Sequence, residues 1–202
     1  MYVPEPFAAD EAAALALLKA RPFGALVTLA EGAPVAVQVP FMAKGEPLRL
    51  LGHVARANPI WRTGGGAGLM IVQGADAYVS PSLYPSKADH GRVVPTWNYE
   101  AVHAHGMIEW FEDRARLLAL VEAQTDRFEA DRERPWAVAD APADYMEGML
   151  RAIVGFELRV ERLEIARKLS QNRTAADRDG VEAGLSAAAT PSERAVAAAM
   201  RR

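Results

Sequence analysis

Four short runs of the chain crowd hydrogen-bonding, cationic and aromatic side chains more densely than turn-making requires. They are Gly52-His53-Val54-Ala55-Arg56-Ala57-Asn58-Pro59, Ala77-Tyr78-Val79-Ser80-Pro81-Ser82-Leu83-Tyr84, Val94-Pro95-Thr96-Trp97-Asn98-Tyr99 and Arg167-Lys168-Leu169-Ser170-Gln171-Asn172-Arg173. Each falls at the end of a predicted strand or in a turn, where a rigid scaffold commonly presents binding groups. Turn chemistry accounts for Pro59 and Pro81. It does not account for an indole at Trp97 between Thr96 and Asn98, or for the two adjacent cations Arg167 and Lys168.

Other chemistries are tested by the same reading and do not assemble. His103 and His105 form an H-x-H pair on one strand face, so two imidazoles could reach one ion. A third ligand would have to come from His53, His90 or a carboxylate far away in sequence, and no HExxH or facial-triad spacing supplies it. No metal is therefore expected. The glycine cluster Gly64-Gly65-Gly66-Ala67-Gly68 lacks both the last glycine of a dinucleotide fingerprint and the Gly-Lys-Ser/Thr of a Walker loop. It reads as a loop. Ser80, Ser82 and Ser170 have no nucleophile elbow around them, so no catalytic residue is assigned. Arg194, Arg201 and Arg202 surround an Ala-rich terminal helix, but Asp179, Glu182 and Glu193 dilute the charge, and no recognition-helix pair is visible.

The elements that must carry these residues follow from periodicity. Asp10 caps a helix that runs to Ala20 and stops before Pro22. Phe23–Leu29 and Pro34–Met42 read as strands joined by a turn at Glu31-Gly32, and Leu48–Leu51 as a third. One or two helical turns are expected over 56–63, and strands at 69–73 and 77–80. The longest strand candidate covers 93–111. Asp113 caps a helix to about Ala130 with Leu117, Val121, Gln124 and Phe128 on its apolar stripe. A short helix follows over 144–153. Phe156, Leu158 and Val160 then alternate as a strand, with a register slip to Leu163 and Ile165 that a bulge explains. Many strands with few interspersed helices exclude a parallel doubly wound sheet. The class expected is α+β, mainly β: a small antiparallel barrel with peripheral helices. Its domain covers 1–173, with a partly helical C-terminal extension over 174–202 that packs on a partner subunit.

Composition narrows the function. The 202 residues contain no cysteine, which excludes disulfides and thiolate chemistry and fits a reducing cytoplasm. No basic, apolar leader opens the chain, and its apolar stretches are too short to span a bilayer. The net charge of −3 is the wrong sign for a protein that grips nucleic acid through phosphates, so direct DNA binding is doubtful.

At the four runs the chain resembles the PaiB family of FMN-binding negative transcriptional regulators. The likeness begins at Met1-Tyr2-Val3-Pro4 and passes through Val39-Pro40-Phe41 and His53–Pro59. It continues through Ser80–Lys87, Val94–His103, Lys168–Asn172 and Gly180-Val181, so it covers roughly 1–185. Pro-Thr-Trp-Asn-Tyr and Lys-Leu-Ser-Gln-Asn are its specific parts. The resemblance implies the split β-barrel of pyridoxamine-phosphate oxidase-like flavoproteins, a homodimer with FMN at the interface, and a cytoplasmic location. It implies a regulator that works without a helix-turn-helix; the alternative is a flavin-dependent oxidoreductase of unknown substrate. A flavin phosphate needs cations and hydroxyl donors, and its ring needs an apolar wall with directed hydrogen bonds. Arg56, Lys87 and Lys168 are the candidate phosphate or ribityl contacts, with His53, Asn58 and Thr96 near them. Trp97, Asn98, Gln171 and Asn172 are the candidates for the ring and its surroundings. Replacing Arg56 and Lys168 together by Ala is expected to abolish flavin retention.

Overall fold

A computed structural model describes residues 1–202. In chain order the elements are α1 (Glu11–Ala20), β1 (Phe23–Ala30), β2 (Ala33–Lys44), β3 (Arg49–Ala55), β4 (Gly66–Val79), α2 (Ser86–His90), β5 (Thr96–Phe111), α3 (Arg114–Glu129), α4 (Ala143–Arg151), β6 (Ile153–Lys168), α5 (Ala175–Ser186) and α6 (Pro191–Met200). The strands hydrogen-bond in the order β1-β2-β3-β6-β5-β4, and β4 returns to β1, so the sheet closes as a barrel. Closure leaves no sheet edge open for pairing with another chain.

Local chemistry explains several of the joints. Ala30 pairs with Ala33 across a two-residue loop in which Glu31 and Gly32 have φ of 52° and 81°. Positive φ at both central residues is the type I′ geometry, whose twist matches that of the flanking strands. Asp10 Oδ1 accepts from the Ala13 amide at 2.9 Å, and Asp113 Oδ1 from the Arg116 amide at 2.8 Å, so both expected helix caps are formed.

The contacts divide the chain into two units. The first comprises Met1–Leu17, Val72–His103 and Glu164–Arg202; the second comprises Leu18–Ile71 and Ala104–Leu163. In the second unit, alternate residues of β1, β2, β3 and β6 bury Leu26, Phe41, Leu50, Val54, Phe156 and Leu158. Another cluster there, Phe111, Leu117, Leu120 and Leu150, seats α3 and α4. In the first unit α5 and α6 bury Val181, Leu185, Val196 and Ala197 with Val79, Tyr84 and Leu169. Each fully buried Leu or Val contributes about 1.5–3 kcal/mol relative to exposure. These clusters are what hold the helices in place.

Three expectations change. The sequence suggests a break between 69–73 and 77–80, yet β4 runs unbroken through Gly74, Ala75 and Asp76. A Cβ on Gly74 would stand 2.8 Å from the Glu100 Cβ, so this glycine permits close approach and does not make a turn. The glycine cluster is not wholly loop, because β4 begins at Gly66. On α3 the buried stripe is Leu117, Leu120 and Gln124, while Phe128 is half exposed, since the last turn of the helix has no cluster to cover it.

Candidate functional site

The first unit brings together the start of β5 and the end of β6. Thr96 and Asn98 share one face of β5, as alternate residues of a strand must. Lys168 Nζ donates to Thr96 Oγ1 at 2.6 Å, and Asn98 Nδ2 donates to Ser170 Oγ at 3.0 Å. Asn98 is completely buried and Ser170 nearly so. Ser170 has φ of 64°, a left-handed conformation uncommon for a residue with a Cβ. It is held there by the Asn98 bond and by the Arg173 amide, which donates to the Ser170 carbonyl at 3.0 Å. Strained backbone that its surroundings over-determine is a recurrent feature of ligand clamps.

The two adjacent cations have opposite fates. Arg167 Nε donates to Glu100 Oε1 at 2.9 Å, so its charge is neutralised. The Lys168 ammonium has no carboxylate within ion-pair distance. Burial, and after it the nearby Arg173 guanidinium, pull its pKa below the ordinary lysine value. Arg173 makes no ion pair at contact distance, but its charge helps hold the Asp177 carboxyl below the usual range, and its guanidinium lies 4.8 Å from the centre of the Tyr84 ring. The Lys168 ammonium, a hydroxyl and an over-determined turn form a donor set in which the ammonium has no acid of its own.

The opposite face of β5 carries one ring of an aromatic pair. The Trp97 and Tyr78 rings are tilted with centroids 6.2 Å apart, both half exposed, and Trp97 Nε1 donates to Asp76 Oδ2 at 3.0 Å. Lys87 lies on α2, which sequence reading missed, and its side chain is exposed; Ser86 before it donates to Asp177 through its amide at 3.1 Å and its hydroxyl at 2.8 Å. Gln171 makes the turn: its Oε1 accepts from the Leu169 amide at 2.7 Å, and its Nε2 bonds to the Arg167 carbonyl. Asn172 is exposed next to it.

His53, Arg56 and Asn58 belong to the second unit, and each is engaged structurally. Arg56 Nε donates to the Arg151 carbonyl at 2.6 Å, its Nη2 to the Ile153 carbonyl at 3.2 Å, and its Nη1 pairs with Glu112. It lines a pocket of about 270 Å³ with Arg114, Glu147 and Arg151, in which the Arg114 fork is itself paired with Glu147. Asn58 Oδ1 accepts from the Ile60 amide at 3.0 Å and caps the short 3-10 turn Pro59–Thr63. His53, on β3, is held below the ordinary histidine pKa by burial, offset by its hydrogen bond to Gln124 on α3. His103 of the H-x-H pair has Nδ1 3.9 Å from Glu164, a carboxylate distant in sequence.

Sequence reading named no role for Arg173, Ser170 or Tyr78. A signal for Arg173 was present: Arg167, Lys168 and Arg173 precede any acidic residue until Asp177, so at least one of them had to find its counter-charge elsewhere. The C-terminal arginines are engaged internally. Arg194 donates to the Ala188 and Ala189 carbonyls at 2.8 and 2.7 Å, Arg201 pairs with Glu182, and Arg202 lies 3.3 Å from Glu100.

Comparison with known proteins matches residues 1–162 to the family described as "Putative FMN-binding domain". The chain belongs to this family. Over 182 residues it is 34% identical to the protease synthase and sporulation protein PAI 2 of Bacillus subtilis, covering 88% of this chain and 85% of that one. An uncharacterized protein of Aspergillus fumigatus is 37% identical over 141 residues, 58% of this chain and 54% of its own length. Among solved structures, the FAD and heme binding protein of Mycobacterium smegmatis superposes with a TM-score of 0.61 at 19% identity, covering 81% of this chain and 74% of that one. The flavocytochrome Anf3 of Azotobacter vinelandii gives 0.57 at 17% identity, over 82% and 68%. At those identities the likeness is one of fold, and it is the antiparallel split barrel of flavin-binding proteins. No helix is long and apolar enough to cross a membrane.

Proposed function

We propose that this member of the FMN-binding family holds FMN with its phosphate at Lys168, Arg173 and Thr96, and acts as a cytoplasmic homodimeric regulator. The observation that carries the reading is the Lys168 ammonium, which has no carboxylate and sits near a second cation, Arg173. A phosphate supplies the missing counter-charge, and its oxygens accept from the ammonium, the guanidinium and the Thr96 hydroxyl. Trp97, on the other face of β5 from Thr96, pairs with Tyr78 and both rings stay half exposed. Asn98, Gln171 and Asn172 belong to the turn that keeps Lys168 in position, and Lys87 adds a further cation on α2. His53, Arg56 and Asn58 support the fold of the second unit. The flavin domain ends near residue 173, and 174–202 is its helical extension.

When bound, FMN supplies redox chemistry of its own, and the chain supplies charge, orientation and shelter. The regulatory reading is supported by the named Bacillus relative, a protease synthase and sporulation protein. DNA contact is not part of it. The net charge is −3, and the terminal arginines that could reach phosphates are turned to Glu182, Glu100 and backbone carbonyls.

The test is a titration of the purified protein with FMN followed by flavin fluorescence, with light scattering for mass. Saturation at about one FMN per chain with micromolar or tighter affinity, on a particle of two chains, is the expected result. Absence of saturable quenching would remove the cofactor from the proposal, and a monomeric particle would remove the dimer. Salt-sensitive, sequence-dependent DNA binding would overturn the claim that regulation proceeds without DNA contact.

A further inference from the structure

A second cavity lies wholly within the second unit, under α3. It has a volume of about 210 Å³ and is lined by Met42, Leu51, Phe111, Leu120, Ala119 and Ala123, with Lys44 and Arg116 as its charged members. The register explains the walls. Met42 pairs with Leu51, and Lys44 with Arg49, so these side chains share one face of β2 and β3. Arg116, Ala119, Leu120 and Ala123 stand at the helical spacing that puts them on one face of α3. Alanine at two of those four positions leaves space that a larger side chain would occupy.

The charges at this cavity do not balance. Arg116 Nη1 lies 2.8 Å from Glu109 and its Nη2 3.6 Å from Glu157, while Arg49 lies 3.9 Å from the same Glu157. Arg116 also covers the Phe111 ring at 4.0 Å. Lys44 is exposed and has no acidic partner. Of the two cations that line the cavity, Arg116 is matched by Glu109 and Glu157 and Lys44 is not, which leaves Lys44 able to take one negative charge. The apolar walls would take a body of about the size of one ring, since a dry apolar cavity of about 150 Å³ already accommodates benzene.

We propose that this cavity binds a small monocarboxylate with a compact apolar body, its ring or branched chain between Leu51, Leu120 and Ala123 and its carboxylate on Lys44. The site is independent of the flavin reading. It gives the protein a place to sense an organic acid with no phosphate on it.

Benzoate is the probe, added to the full chain both with and without FMN and followed by saturation-transfer NMR and calorimetry. Saturable binding of benzoate, at least tenfold weaker binding of benzyl alcohol, and FMN affinity unchanged by benzoate are expected. Lys44→Gln, an exposed substitution, should weaken benzoate at least fivefold, and Ala123→Leu should remove it by filling the cavity. Ala119→Leu serves as the second filling variant if Ala123→Leu is unstable. No saturable benzoate binding would overturn the proposal. So would equal binding of the alcohol, or binding indifferent to both Lys44→Gln and the filling variant. Benzoate that displaces FMN would locate it at the flavin and overturn this site while leaving the flavin reading intact.

Discussion

Arg56 and Lys168 are both cations at the end of a strand, both in runs dense with polar residues, and equally plausible phosphate ligands by type. The fold treats them oppositely. Around Arg56 each of the three guanidinium nitrogens is engaged, by two backbone carbonyls and Glu112, and Arg114 is locked to Glu147. Around Lys168 there is one hydroxyl, a second cation and no acid. An arginine whose hydrogen bonds tie β3 to the end of α4 is a brace. An ammonium held partly out of water without a counter-ion is suited to take an anion, because part of the free energy of desolvating it is recovered when one arrives.

The sharpest way to break this comparison is to remove that ammonium and the cation near it. Lys168→Ala with Arg173→Ala should weaken FMN by about 100-fold or more, taking roughly 1.5 kcal/mol for each charge-assisted bond at the low end. Unchanged quenching curves would move the phosphate elsewhere. Next comes the brace: Arg56→Ala should leave FMN affinity within about twofold yet lower urea stability by about 2 kcal/mol, because two carbonyls and Glu112 lose a partner. Loss of flavin with stability intact would reverse the two roles.

A smaller effect sharpens the turn. Ser170→Ala removes the acceptor of a completely buried amide and should cost about 1 kcal/mol, with FMN weakened by less than the double variant. If affinity fell as far as in the double variant, the serine would be a direct ligand contact. The smallest effect is in pH. His53 is held below its unfolded value by burial, so its neutral form costs nothing above about pH 6.5. As pH falls below that value the unfolded chain takes up a proton that the folded chain refuses, and stability declines until the folded pKa is reached. Urea midpoints compared between pH 7.5 and 5.5 should fall more for the wild type than for His53→Gln. Parallel declines would show that other groups set the acid limit.

Much of the scaffold was legible along the chain. The Glu31-Gly32 hairpin, the Asp10 and Asp113 caps and the alternation of Phe156 and Leu158 in β6 are local, and their physics acts over a few residues. Where reading failed, the deciding neighbour was remote. Gly74 resembles a turn residue until Glu100 is seen against it, and Phe128 fits an apolar stripe until the cluster beneath α3 proves to end about two turns earlier. The resemblance placed polar runs at strand ends, but it could not say which cation within them would be paired.

By itself the sequence determined a cysteine-free, acidic chain rich in strands, and it concentrated polar and aromatic residues at strand ends. Those properties depend on composition and on spacings of a few residues. Only the tertiary structure decided which charge would be satisfied. Arg167 and Lys168 are adjacent, yet one of them meets Glu100, 67 positions away, while the other, at the end of its strand, meets Thr96, 72 away. Counter-charges at such separations are set by closure of the barrel, and no local pattern encodes them.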